Sequence, residues 1–451
     1  MSRTLLVNAV IATSTREGFG ALAIEGERIA GLWFREEADS NDSKALEAFP
    51  DAAVIDLGGK VLMAGGIDAH VHFRDPGLTH KADIESESRA ALLGGITSFI
   101  DMPNTSPATT DMEKLDAKLK NASEKSWANY GFSIGATNDN CGEIEGYLAG
   151  ESRHSIGGVK VFMGSSTGNM LVDRQETLDK LFSISSKPVL IHSEDEGIIK
   201  ANLAAARERF GEEVPFTEHP AIRSRKACIM STIKALEMAV KHGTHLHVCH
   251  VTTAEEVEMI RAAKIHNPGI SAETSANYLW FSDEDYARLG SRIKCNPAVK
   301  STKDRAALWK GLEEGLIDTV GSDHAPHLLS EKDKPYLSCP SGVPSIQQSL
   351  PVAFTLGMPL TRIASAYSER VAEIFGISDR GALKAGAYAD LVVVDPEEEF
   401  TVKDVAYKCG WSPYEGETLK GAVKMVWING ALTVKDGAFI AERSAKELNF
   451  K

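Results

Sequence analysis

The sequence predicts an α/β fold: a (β/α)8 TIM-like barrel with a small β-sandwich formed by both chain ends. Three observations carry this. Residues 1–58 alternate short β-like runs with Gly-containing turns, the stretch 380–451 returns to that style, and eight short apolar runs between them are separated by helix-length segments. Eight strands, each followed by a helix, close a parallel barrel.

Near the N-terminus, runs 5–11, 21–24, 29–34 and 54–57 read as strands bounded by turn residues. Near the C-terminus, Asp390-Leu-Val-Val-Val-Asp395 and Val423-Lys-Met-Val-Trp-Ile-Asn-Gly430 read the same way. Neither group is large enough to be stable alone, so the two are expected to join. This gives one domain of 1–58 plus 380–451 and a catalytic domain of 59–379. The barrel runs are 61–69, 96–102, 131–136, 158–163, 189–192, 246–251, 270–274 and 317–323. Segments 83–93, 111–124 and 227–242 carry helix-compatible spacing between them.

Composition narrows the class. At 451 residues, 43% hydrophobic and 25% charged, the chain can bury a large core. No stretch reaches the roughly 18 apolar residues of a membrane span, and the opening Met-Ser-Arg-Thr is not a secretory signal, so a cytoplasmic protein without a membrane partner is expected. The six cysteines form no CxxC pair, which argues against a disulfide framework or thiolate zinc site. A net charge of -14 without a basic run argues against a nucleic-acid partner. A small anionic substrate stays compatible, since a few placed cations dominate the field inside a pocket.

Barrel chemistry sits at the C-terminal ends of strands, so the residues ending each run are the candidates. The first run ends in Asp68-Ala-His70-Val-His72-Phe-Arg74, and side chains two apart on a strand share a face. The second ends in Asp101-Met-Pro-Asn104, the fourth holds Lys160, and the fifth ends at His192. In the sixth, His245, His247 and His250 compete. His250 is chosen because it lies latest and shares the parity of Leu246 and Val248, read as barrel-facing. The eighth ends in Ser322-Asp323-His324-Ala-Pro-His327. Each residue has a plainer reading: His192 as a core histidine, Asp323 as a helix cap, Asn104 as a turn residue. Their convergence on one predicted face favours chemistry. Imidazole and carboxylate suit zinc, and a catalytic zinc keeps a position open for water.

The run Gly66-Ile-Asp-Ala-His-Val-His-Phe-Arg-Asp-Pro-Gly77, with Met102-Pro-Asn-Thr105, Ile191-His-Ser-Glu-Asp195, His247-Val-Cys-His-Val-Thr252, Asn296-Pro297 and Ser322-Asp-His-Ala-Pro-His327, resembles the amidohydrolase superfamily and its dihydroorotases. Gly386-Ala-Tyr-Ala-Asp-Leu-Val-Val-Val-Asp395 is similar to the superfamily's C-terminal β-segment, so the resemblance covers nearly the whole chain. It implies two zinc ions held by His70, His72, Lys160, His192, His250 and Asp323. An ammonium cannot ligate, so Lys160 is expected as a carbamate, formed with CO₂, bridging both metals. The resemblance also implies substrate contacts from His72, Arg74, Asn104, Asn296 and His327, with Arg74 pairing a carboxylate.

The implied reaction is reversible hydrolysis of dihydroorotate to N-carbamoyl-aspartate, in pyrimidine biosynthesis. Zinc-activated hydroxide would attack the ring carbonyl, and Asp323 would carry the proton to the departing nitrogen. The partner is then a small anionic cyclic amide, and a homo-oligomer is expected. Allantoinase and dihydropyrimidinase or hydantoinase share every metal ligand and stay open, as does a catalytically inactive scaffold. Departures from the dihydroorotase pattern are Asp75, Asn277-Tyr278 and Gly158-Val-Lys160, the last closer to dihydropyrimidinases and hydantoinases. The polar stretch Gly164-Ser-Ser-Thr-Gly168 reads as a loop, with a lid as one use.

Overall fold

The structure is a computed structural model that describes residues 3–35, 42–164, 170–184 and 186–451. Most of the Gly164 to Gly168 loop therefore lies outside the described residues. Eight parallel strands follow one another in sheet and sequence: β1 (Gly66–Val71), β2 (Ile96–Asp101), β3 (Asn129–Gly135), β4 (Ile156–Phe162), β5 (Val189–His192), β6 (Leu246–Val248), β7 (Ser271–Ser275) and β8 (Thr319–Gly321). The last meets the first just beyond the strand ends. His324 bridges Val71 in parallel, His72 N donates to His324 O at 2.8 Å, and Ser322 N donates to the Asp68 carboxylate at 3.2 Å. The sheet is thus a (β/α)8 barrel.

The connecting helices begin where a short polar side chain can satisfy their first amide groups. Asp83 caps Ile84–Leu93, Asp111 caps Met112–Lys125, Thr253 with Glu256 forms a capping box on Ala254–His266, and Ser301 with Asp304 does so on Thr302–Glu313. Their apolar faces share one core with the outward side chains of the strands, among them Phe99, Val159, Val189, Leu246 and Val248. Ile100, Leu190 and Cys249 form a different cluster, inside the barrel, with Phe375, Leu448 and Phe450. No helix among the described residues is long and apolar enough to cross a membrane.

Both chain ends meet in a nine-stranded, largely antiparallel sheet. The apolar run 61–69 is not one barrel strand, as its composition suggested. Val61–Ala64 pairs with Arg3–Ala12 and with Leu391–Thr401 in the end sheet, so the barrel starts at Gly66. Gly65 makes the handover possible: a Cβ there would lie 2.2 Å from the Thr97 side chain. Two glycines in succession let one apolar run serve two sheets.

Candidate metal centre and active site

Every site residue named from the sequence lines one cavity of about 500 Å³: His70, His72, Arg74, Asn104, Lys160, His192, His250, Asn296, Asp323 and His327. They arrive from six of the eight strand ends and from loops beyond them. The backbone works to bring them in. Arg74, His250 and Asp323 all have positive φ, at 66°, 38° and 48°. Such conformations cost energy for a residue with a Cβ and cluster where a side chain must be aimed.

His250 shows why aim matters. The parity argument from sequence fails, because Leu246 and Val248 face the helix layer while His247 and Cys249 face the barrel interior. Strict alternation would point position 250 outward with them. The left-handed backbone at His250 breaks the alternation and returns its ring to the cavity.

One face of the centre is built from β1, β7 and β8. His70 Nδ1 meets Glu273 Oε1 at 2.7 Å, which leaves Nε2, 3.5 Å from Asp323 Oδ1, as the nitrogen that could hold a metal ion. His72 Nε2 lies 3.1 Å from the same carboxylate oxygen, and its Nδ1 donates to Asn104 Oδ1 at 2.7 Å. Ligating atoms of His70, His72 and Asp323 all lie within 4.8 Å of one another. The other face is His192 and His250, whose facing nitrogens are 3.0 Å apart. Two nitrogens on one tetrahedral zinc, each at about 2.0–2.1 Å, would stand about 3.3 Å apart, so this spacing fits. His192 is oriented by Glu194 at 2.8 Å, itself paired with Arg223. His250 Nδ1 is buried without a hydrogen-bond partner.

Electrostatics agree with a ligand role. Burial, then repulsion by His192, holds His250 uncharged, and burial, then Lys160, lowers the pKa of His70. Neutral imidazole is the ligating form. A second grouping, His70 with Cys249 and Glu273, is also close enough to hold an ion. Burial pushes the Cys249 thiol up to about 12, and a protonated thiol is a poor ligand, so the imidazole and carboxylate set is the better site.

Lys160 lines the same cavity and is 1% exposed. Its Nζ has the Cys249 sulfur at 3.3 Å and the Phe162 ring at 5.3 Å, and no carboxylate among the described residues forms an ion pair with it. A buried cation without an anionic partner is costly.

The outer part of the cavity is cationic. Arg74 is 8% exposed; its Nε donates to Pro326 O at 3.1 Å and its Nη2 lies 3.2 Å from His327 Nε2. Burial lowers its pKa only to about 10, so it stays charged at neutral pH. Asn296 presents a buried Oδ1 without a partner.

Sequence reasoning missed Glu273, Glu194 and Lys81. An acid in mid-strand, between Ala272 and Thr274, is a signal for Glu273, since a buried carboxylate needs a partner. Lys81 lies in a loop and carries no comparable signal. The departures Asp75 and Asn277-Tyr278 do not line the cavity. Asp75 pairs with Lys125, Asn277 bonds Tyr414, and Tyr278 bonds Pro297 O.

Comparison with known proteins agrees with this geometry. The amidohydrolase family model matches residues 61–433. A dihydroorotase of Methanosarcina acetivorans is 34% identical over 407 residues, covering 85% of this chain and 85% of that protein. An allantoinase of Streptomyces avermitilis is 32% identical over 401 residues, 86% of this chain and 87% of that protein. The L-hydantoinase (dihydropyrimidinase) structure from Arthrobacter aurescens covers 100% of both chains with a TM-score of 0.91 at 26% identity. Fold, cavity and relatives converge, and the chain is a cyclic amidohydrolase of the amidohydrolase family.

Proposed function

We propose that the chain is a dihydroorotase, interconverting dihydroorotate and N-carbamoyl-aspartate. One observation carries the choice of substrate: a buried, charged Arg74 opens into the cavity beside His327 and the metal-ligand set. A guanidinium fork can hold a carboxylate bidentately, and dihydroorotate has one where dihydrouracil and hydantoin have none. His70, His72, His192, His250 and Asp323 would hold two zinc ions, with Lys160 as its carbamate between them. Zinc, when bound, polarises the ring carbonyl and lowers the pKa of a water.

The chain's own residues supply the rest. Arg74 and His327 fix the carboxylate, so the ring amide can be presented to the inner wall. Asn104, whose carbonyl oxygen is spent on His72, has its amide donors for the ring. In hydrolysis Asp323 accepts a proton from the attacking water and gives it to the ring nitrogen as the C–N bond breaks; in cyclisation it accepts that proton from nitrogen and returns it to the departing hydroxide. Positive φ holds its carboxylate beside His70 and His72, where that transfer is short.

Turnover of dihydroorotate, N-carbamoyl-aspartate, allantoin, dihydrouracil and hydantoin by the zinc-loaded enzyme tests the reading. Dihydroorotate should be strongly preferred. Arg74→Met should lower kcat/KM for it by about two to four orders of magnitude with metal content unchanged. Unaltered dihydroorotate kinetics in that variant, or preference for allantoin, would overturn the proposal. Allantoin is the serious rival, because allantoinases are nearly as similar to this chain as dihydroorotases are.

A further inference from the structure

Beyond Arg74, the outer cavity holds a second cation that the resemblance assigns no role. Lys81 Nζ lies 3.1 Å from His327 Nδ1 and 3.0 Å from Glu331 Oε1, and Lys81 lines the cavity. An ammonium has three donors and no lone pair. His327 Nε2 faces Ser341 O at 3.1 Å and Arg74 Nη2 at 3.2 Å. Arg74 Nη2 likewise only donates, so Ser341 O, which only accepts, decides between the two ring nitrogens: the single proton of the neutral ring sits on Nε2, and Nδ1 accepts from Lys81.

Two donors, His327 Nε2–H and Arg74 Nη2–H, are therefore held side by side at the cavity wall. Neither can satisfy the other. An anionic oxygen lodged there would accept from Arg74 Nη2–H and take the His327 Nε2–H bond from Ser341 O. Lys81 also removes a competitor: Glu331, the nearby carboxylate, is engaged by Lys81 and by Leu328 N at 3.0 Å.

We propose that Lys81 is a positioning residue for the substrate anion: from the Nδ1 side, with Ser341 O on the other, it holds His327 in the Nε2–H form and withdraws Glu331, so that Arg74 and His327 together receive a carboxylate. The proposal rests on the dihydroorotase reading for the identity of the anion, and on geometry alone for the state of His327. The charged groups facing His327 are Arg74, Lys81, Lys332 and Glu331. Burial first, then the three cations, keeps its ring uncharged.

The test combines kinetics with a spectroscopic reading on the zinc-loaded enzyme. Lys81→Met should raise KM for dihydroorotate about tenfold, the value of one charge-assisted contact, with kcat changed less than about threefold. His327 remains buried beside Arg74 and Lys332 in that variant, so the raised KM should not recover on mild acidification. Lys81→Arg, which also only donates, should restore the wild-type KM. Nitrogen NMR of [15N]histidine-labelled enzyme, with His327 identified by the signal lost in His327→Gln, should show the Nε2–H form in wild type and a mixture in Lys81→Met. An Nδ1–H ring in wild type, or wild-type KM in Lys81→Met, would overturn the assignment. Absence of dihydroorotate turnover in wild type would instead sink the dihydroorotase reading, and the NMR result would still decide the role of Lys81.

Discussion

At the scale of single residues, Lys160 poses the sharpest question. It lines the cavity with His70, His192 and His250, yet its Nζ meets the Cys249 sulfur and the Phe162 ring and forms no ion pair among the described residues. Reaction of its neutral amine with CO₂, with loss of a proton, would replace the buried positive charge by a carbamate anion whose two oxygens could ligate metal, and bound cations would then offset that negative charge. Lys160→Ala should lose at least one zinc per chain and nearly all activity, and a small carboxylate added with zinc should restore part of both. Metal analysis and intact mass measure this directly. An unmodified Lys160 in a fully active two-metal enzyme would exclude the carbamate. The tension was legible in Gly157-Gly-Val-Lys-Val-Phe-Met163, where a lysine sits in a run that must be buried. His250 was legible only as a candidate. Nothing in the letters announces a left-handed φ at a histidine, and strand parity pointed to the wrong face.

At the scale of elements, the apolar runs located all eight barrel strands, because parallel strands buried on both faces read as continuous hydrophobic stretches. The exception is instructive. Run 61–69 belongs to two sheets, and the break falls at Gly65-Gly66, where hydrophobicity does not change. The wall of the cavity at residues 340–342 was invisible for another reason: it is held from behind by a lysine remote in pattern. Lys332 Nζ donates to Lys294 O at 3.1 Å, Pro340 O at 3.0 Å and Gly342 O at 2.9 Å, and burial lowers its pKa from 10.5 to about 8. Between those two values the unfolded chain binds more protons at this site than the folded one, so stability contributed by the group rises with pH. Below about 8 both states are protonated and the folded state bears the full burial cost. From pH 7 to 10 the unfolding free energy of wild type should therefore gain about 2 kcal/mol more than that of Lys332→Met. Urea titrations at the two pH values measure the difference. Equal gains would mean that folded Lys332 keeps an ordinary lysine pKa, whereas an extra gain of about 4 kcal/mol would mean that it is already neutral at pH 7.

At the scale of the whole molecule, the barrel has an active end and a sealed end, and the C-terminal tail makes the seal. Glu447 bridges Tyr130 at the start of β3, and Phe450 N donates to His154 O at 3.0 Å ahead of β4. Lys187 Nζ, ahead of β5, donates to Lys451 O at 2.8 Å. All these contacts fall at strand starts, opposite the ends that carry His192 and Lys160. The Phe450 ring is fully buried, and room for it comes from two glycines: a Cβ at Gly131 would lie 2.6 Å from the ring, and one at Gly157 would lie 3.1 Å away. Removing the ring leaves a cavity lined by rigid strand backbone that cannot collapse to fill it. Phe450→Ala should therefore cost about 3–5 kcal/mol of unfolding free energy while leaving kcat and KM near wild type at temperatures where the variant stays folded. Gly131→Ala should destabilise by the opposite route, crowding the same ring. Because both changes act on one contact, the double variant should be less destabilised than the two single losses added together. Strict additivity, or lost turnover in a fully folded Phe450→Ala enzyme, would show that the tail does something other than close the barrel.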